Sequence, residues 1–136
     1  MIHEEICTYE VCKVAKEKGF NVPTDRYYHI YDDVIEAQNS LEMTSDGCAD
    51  FYNSLNQCRC AAPTQSLLQR WLREEKNIVV EIGWFSMEQK YYWSVFDTTK
   101  DDMFASFIPP AKSMSRYDTW EQALECGLKY ALKELK

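Results

Sequence analysis

The sequence predicts an α+β fold, in which an antiparallel sheet of three to four strands has two or three helices packed mainly on one face. Two observations support this class. A capping box at Thr119 and Gln122 opens a C-terminal helix whose apolar residues recur at helical spacing. Before it, residues 78–85 alternate between two faces, as a strand in a sheet does. Both patterns need a partner surface, so we expect them to pack in layers.

The N-terminal part predicts one helix and one strand. Thr8 is a predicted N-cap for a helix that ends at Lys18, and Gly19 follows at the position where helices commonly end. The aromatic run 26–31 is predicted to be a strand, because Pro23 precedes it and two aspartates follow it.

Segment 33–56 is the hardest part of the chain to interpret. It can be two short helices, at 34–41 and 50–55, but neither stretch has strong periodicity. It can equally be a long loop packed by its own aromatic residues, Phe51 and Tyr52. Both interpretations stay open at this point.

Residues 61–136 predict a module of helix, three antiparallel strands and helix. Pro63 suits the first turn of the first helix. Its apolar face consists of Leu67, Leu68, Trp71 and Leu72, and its wet face of Gln65, Gln69, Arg70, Arg73 and Glu74. The strands are predicted at 78–85, 91–97 and 103–108. Both helices are expected on one sheet face, with Gly127 allowing a close approach and Leu128 almost fully buried.

The length predicts a single domain, and the lack of an export signal predicts a reducing compartment. We divide the 136 residues into an N-terminal helix and strand (1–31), a variable acidic segment (32–60) and the module 61–136. The net charge is −7, and residues 21–60 alone account for −5. No run approaches the ~20 apolar residues of a membrane span, and the chain opens without an export signal. We therefore expect a cytoplasmic protein.

Several segments resemble a family of small uncharacterised proteins from gut bacteria and their phages. The resemblance lies in AAPTQSLLQRWLREE (61–75), YYWSVFD (91–97) and TWEQALECGLKYAL (119–132), and the opening CTYEVCKVAKEKGF (7–20) is similar to the N-terminal helix of the same family. The acidic segment departs from the family pattern. The resemblance implies an accessory protein of phage or mobile-element origin, and it brings no functional residues with it.

Metal-binding and catalytic patterns are weak. The pair Cys58 and Cys60 has one residue between its thiols, fewer than the usual spacing of zinc ligands. The candidate bases are His3, near the chain start, and His29, inside a predicted strand. The four glycines are scattered, so no phosphate-binding loop is predicted. We predict no catalytic residue, no metal, no cofactor and no required disulfide, with a small enzyme as the third hypothesis.

Nucleic-acid binding is the second hypothesis. The helix–sheet–helix order is also that of double-stranded-RNA-binding domains, and Arg70 and Arg73 lie on the wet face of the first module helix. Glu74 and Glu75 interrupt that face, and the chain is acidic, so binding to a polynucleotide is disfavoured.

A non-catalytic protein-interaction module is the first hypothesis. If the helices cover the sheet face of Trp84 and Trp93, the opposite face has Val79, Phe85, Tyr92 and Phe96. That face is too aromatic to be left in water. Either the N-terminal part, with Tyr27, Tyr28 and Phe51, folds over it, or it binds a protein partner or a second copy of the chain. The candidate binding residues are Phe85, Tyr92, Phe96, Arg70 and Arg73.

Overall fold

The α+β class is confirmed. The structure, a computed structural model, describes residues 2–30, 41–43, 51–55, 57–99, 106–107 and 115–135. Within these residues there are three α-helices and six strands, and the strands form two antiparallel sheets of three strands each. The chain divides into two compact units, unit 1 (Met1–Thr64) and unit 2 (Gln65–Leu135). The division falls close to residue 61, where the predicted module begins.

Unit 1 opens with the predicted helix. Helix α1 spans Tyr9–Glu17, and the Thr8 side chain accepts a hydrogen bond from the Val11 amide, as an N-cap does. Gly19 has a φ of 96°, a left-handed conformation that glycine adopts without strain, and it ends the helix as predicted. Both limits of this helix could therefore be predicted from single residues.

The sheet of unit 1 contains one predicted strand and two that were not predicted. Strand β1 (Arg26–His29) lies between β2 (Leu41–Met43) and β3 (Arg59–Ala61), and both pairings are antiparallel. The proposed helix at 50–55 is only a short 3-10 turn, Asn53–Leu55. The proposed helix at 34–41 lies almost entirely outside the described residues.

Unit 1 is held together by side chains that bond to distant backbone groups. Asn53 donates to the Phe20 carbonyl at 2.6 Å and accepts from the Ala61 amide at 2.7 Å. The Tyr28 hydroxyl donates to the Cys7 carbonyl at 2.9 Å. These contacts give hydrogen-bond partners to one backbone group of a short strand, at Ala61, and to two outside the strands, at Phe20 and Cys7.

Unit 2 contains the predicted module. Helix α2 (Gln65–Glu75) is followed by β4 (Ile78–Phe85), β5 (Lys90–Asp97), β6 (Ser106–Phe107) and helix α3 (Trp120–Glu134). The strand order is β4-β5-β6. The predicted start of α2 at Pro63 was wrong by two residues. Pro63 belongs to an extended stretch in unit 1, where its carbonyl accepts from the Cys7 amide.

Both helices of unit 2 pack on the same sheet face, as predicted. The helices contact each other and β4, and α3 also contacts β5. The sheet residues beneath them are buried, among them Val80, Trp93 and Val95. A Cβ at Gly127 would lie 2.9 Å from Val80 Cγ1, so this glycine does permit the close approach. Leu128 beside it is completely buried.

Two glutamines of α2 have structural roles that the wet-face assignment missed. Gln65 is buried, and its amide donates to the Glu121 carbonyl at 2.9 Å and to the Glu125 carboxylate at 2.8 Å. Gln69 donates to the Val80 carbonyl at 2.7 Å. The first contact joins the two helices, and the second joins α2 to the outer edge of β4.

Candidate functional site

The predicted aromatic face exists on the side of the sheet away from the helices. Residues paired across β4 and β5 point to the same side, and the register pairs Gly83 with Tyr92 and Val79 with Phe96. Phe85, Tyr92 and Phe96 therefore share a face. A Cβ at Gly83 would overlap the Tyr92 ring, so that ring lies flat across the glycine. All three aromatic residues are half-buried.

Part of this face is covered by an arginine of unit 2. The Arg116 guanidinium carbon lies 4.8 Å from the centre of the Phe85 ring and 5.6 Å from that of Tyr92. Arg116 is also within 3.5 Å of the Glu88 carboxylate. A cation over two ring faces is favourable and shields them from water. A cover by Tyr27, Tyr28 and Phe51 was one of the two predictions for this face, and a cover by Arg116 was not predicted.

The two arginine candidates lie on the other side of unit 2. Arg70 is exposed and pairs with Glu74 one helical turn later, at 3.0 Å. Arg73 is exposed on the same helix. Since α2 packs on the opposite face from Phe85 and Tyr92, the structure does not bring the five candidate residues into one site.

A second aromatic cluster, which we call the aromatic end, lies on the helix-covered side at the tip of the β4–β5 hairpin. It consists of Trp84, Tyr91 and Trp120. The ring centres of Trp84 and Tyr91 are 4.9 Å apart, and those of Tyr91 and Trp120 are 6.2 Å apart. Trp84 is 53% exposed and Trp120 46%, and Met87 in the adjoining hairpin loop is 87% exposed. Large apolar side chains gathered at one surface are typical of a contact site.

Backbone contacts place Trp120 beside the hairpin. Tyr91 and Tyr117 exchange two backbone hydrogen bonds of 2.9 Å each. Lys90 donates to the Asp118 carboxylate at 2.6 Å, and this hydrogen bond and charge raise the pKa of Lys90. The Thr119 hydroxyl then accepts from the Gln122 amide and caps α3. The segment is thus fixed at successive residues before α3 begins with Trp120.

The outer edge of β4 adjoins the aromatic end. The Asn77 carbonyl accepts from the Thr98 amide. The backbone N–H and C=O groups of residue 77 and of every second residue after it therefore point toward β5. Ile82 and Trp84 therefore direct their backbone N–H and C=O groups away from the sheet, as Val80 does. The Gln69 side chain of α2 donates a hydrogen bond to the Val80 carbonyl, so the first half of this edge already has a partner. Among the described strands, none pairs with the second half, so it is a template for an added strand.

The aromatic end was not predicted because both tryptophans were assigned to the core. Trp84 does lie on the strand face of Val80 and Trp93, and Trp120 does belong to the apolar stripe of α3. Each, however, is at the end of its element, beyond the buried centre. Periodicity identifies a face but not how far along that face a neighbouring element extends. The Tyr91–Tyr117 bridge sets that limit, and no short sequence signal marks it.

The cysteines in the described residues form no disulfide. Cys7, Cys12 and Cys60 are buried in unit 1, and Cys58 is exposed. Burial raises the pKa of the Cys60 thiol from 9.0 to about 11, which opposes formation of a reactive thiolate. Cys58 and Cys60 thus differ sharply in environment, although one residue separates them.

Both histidines lie in unit 1. His3 is exposed, and the ring of His29 packs edge-on against Tyr27 at 5.7 Å. In the part of the chain that the structure describes, no three His, Cys, Asp or Glu side chains are grouped to hold a metal ion.

Comparisons with protein-family models, with curated proteins and with solved structures gave no match. Among the helices in the described ranges, none is both long and apolar enough to cross a membrane.

Proposed function

We propose that the protein is a non-catalytic protein-interaction module and that its contact surface is the aromatic end of unit 2. The observation that carries the proposal is the exposure of Trp84 and Trp120, whose rings flank Tyr91. Tryptophan is enriched where partners bind most tightly, because it buries a large area with few rotatable bonds. The open half of the β4 edge supplies backbone groups beside these rings, which suits an extended partner segment.

The aromatic end is a better candidate than the aromatic face of Phe85, Tyr92 and Phe96. Arg116 already stacks on Phe85 and Tyr92, so a partner would have to displace or bury a charged group there. At the aromatic end the partner would cover rings that are now half in water. The earlier candidates remain a second surface to test by substitution.

A cytoplasmic location and an origin in a phage or mobile element complete the proposal. The buried thiols of the described part of unit 1 form no disulfide, which suits a reducing compartment. The origin rests on the sequence resemblance described above. Nucleic-acid binding remains the alternative function. The candidate residues for this binding, Arg70 and Arg73, share a helix face with Glu74 and Glu75. Arg70 forms an ion pair with Glu74.

The test is quantitative affinity capture with matched variants. The double variant Trp84→Ser/Trp120→Ser removes the proposed contacts, and Met87→Ser is a milder change in the exposed hairpin loop. Leu55→Ser is the control, because it removes a side chain that is 55% exposed in unit 1. We expect the wild type and Leu55→Ser to capture the same proteins from the source cells. The double variant should no longer capture them.

Circular dichroism must show that the double variant is folded. If it is not folded, the milder variant Met87→Ser serves as the test. If every protein captured by the wild type is also captured by all variants, the aromatic end is not the contact surface. Sedimentation identifies a second copy as the partner if self-association is lost with the same variants. Anisotropy with labelled duplexes tests the alternative: micromolar binding abolished by Arg70→Glu with Arg73→Glu would replace our proposal.

A further inference from the structure

We infer that the partner segment that docks at the aromatic end is basic, an arginine- or lysine-rich extended peptide. The inference rests on the proposed function and adds the chemistry of the partner. Trp84 and Trp120 present rings that are about half exposed. Tryptophan is the best aromatic partner for a cation, and arginine also stacks on it with its planar guanidinium.

The charges around the rings favour the same partner. Lys90 is held by Asp118 at 2.6 Å, and the Asp118 side chain is still 77% exposed. Glu121 is exposed in the first turn of α3, directly after Trp120, and the hairpin loop adds Glu88, whose side chain is 53% exposed. Lys90 pairs with Asp118 and Arg116 with Glu88, so the exposed Glu121 gives this surface an excess of one negative charge. A basic segment would meet both the ring faces and this net negative charge.

The same charges disfavour two other occupants. A second copy of the chain would bring a surface with the same net negative charge, on a protein whose net charge is already −7. A single-stranded nucleic acid could stack its bases on the tryptophans, but its phosphates would face the same carboxylates.

The strand edge explains why the segment would be extended. Ile82 and Trp84 direct backbone donors and acceptors outward, so a peptide can pair with them as an added strand. Alternate side chains of that strand would then lie on the side of the Trp84 ring. Cationic residues at every second position would therefore lie beside the Trp84 ring, which is the ring closest to this edge.

A displayed library of random peptides tests the inference without knowledge of the natural partner. The library is selected on the purified wild-type protein, and binders are counter-screened on Trp84→Ser/Trp120→Ser and on Met87→Ser. We expect the peptides that depend on the aromatic end to carry an excess of arginine and lysine. Apolar or acidic peptides that depend on it would overturn the inference and leave the proposed function standing. If no selected peptide depends on it, both fail.

A selected basic peptide then allows a charge test by fluorescence anisotropy. Glu121→Gln should weaken binding about 2–5-fold at low salt, and less at physiological salt, as expected for a surface charge pair. Glu75→Gln is the control, because it removes an exposed carboxylate from α2. Equal effects of the two variants would mean only general attraction to an acidic protein and would overturn the inference. Binding of labelled oligothymidine that is lost with the double tryptophan variant would also overturn it.

Discussion

The two units of this chain reach stability by different means. Unit 2 buries the apolar stripes of two helices of 11 and 15 residues against a hairpin of two eight-residue strands, so its interior is mostly aliphatic and aromatic. The strands of unit 1 have three or four residues, and polar side chains such as Thr24 and Asn53 are buried among them. Apolar area therefore dominates unit 2, whereas single hydrogen bonds between distant segments matter more in unit 1.

The largest expected effect tests the apolar core of unit 2. Leu128 is completely buried beside Gly127, which lies against Val80 and Trp93. Leu128→Ala should lower the free energy of unfolding by about 2–5 kcal/mol, because it removes buried methyl groups and leaves a cavity. Denaturant melts measure it, with Leu55→Ala at an exposed site as the control. A loss below about 1 kcal/mol would show that the site collapses or that the core is not closely packed.

The next effect tests the polar contacts of unit 1. Asn53→Ala removes the hydrogen bonds of the Asn53 side chain to the Phe20 carbonyl and the Ala61 amide. We expect a loss of roughly 2–4 kcal/mol, because losing one side of a buried hydrogen bond costs about 1–3 kcal/mol. Asn21→Ala is the matched control, since the exposed Asn21 accepts from the Ser54 amide at 2.8 Å. If both variants lose the same small amount, hydrogen bonds do not distinguish unit 1 from unit 2.

This contrast also explains what the sequence could predict. In unit 2 the signals are local: the Thr119 cap, the alternation in β4 and the stripe through Leu128 each lie within one element. The class, the helix-covered face and the role of Gly127 follow from them. In unit 1, β3 forms because it pairs with β1 and because the Asn53 side chain accepts from the Ala61 amide. Both contacts join residues that are not neighbours in the sequence. Nothing local in that segment indicates a strand.

The candidate site could be predicted from the sequence only in part. Phe85, Tyr92 and Phe96 do share a face, because strand alternation and register determine it. That Arg116 stacks on this face depends on a segment that the sequence only marks as a loop. The aromatic end depends on the Tyr91–Tyr117 bridge for the same reason. Faces could be predicted from the sequence, whereas the loops that cover or expose them could not.

A smaller effect tests how tightly the hairpin of unit 2 is packed. Gly83→Ala places a methyl group where the Tyr92 ring lies, so the ring must move. We expect a loss of about 1–3 kcal/mol in the wild type, as for other insertions into packed sites. In a Tyr92→Ala background the same change should be neutral or stabilising, because glycine in a strand costs about 0.5–1 kcal/mol relative to alanine. Equal effects in both backgrounds would mean that the two residues are not coupled.

The last prediction concerns pH and returns to unit 1. Burial raises the pKa of Cys60 to about 11 from 9.0, so the folded protein holds this proton more tightly than the unfolded chain does. The resulting stabilisation is complete below pH 9 and is lost as the pH rises toward 11. The slope is at most roughly 1.4 kcal/mol per pH unit. Since tyrosines and lysines titrate in the same range, the measurement is the difference in slope between wild type and Cys60→Ala.

Cys58→Ala is the matched control, because Cys58 is exposed two residues away in the same part of the chain. It should keep the wild-type slope, whereas Cys60→Ala should flatten it even if that variant is less stable overall. Maleimide labelling at neutral pH gives an independent measure: Cys58 should react rapidly, and Cys60 only when unit 1 opens. Rapid labelling of Cys60 in the folded protein, or equal slopes in both variants, would show that its thiol is not shielded. The core of unit 1 around β3 would then be more open than its hydrogen bonds indicate.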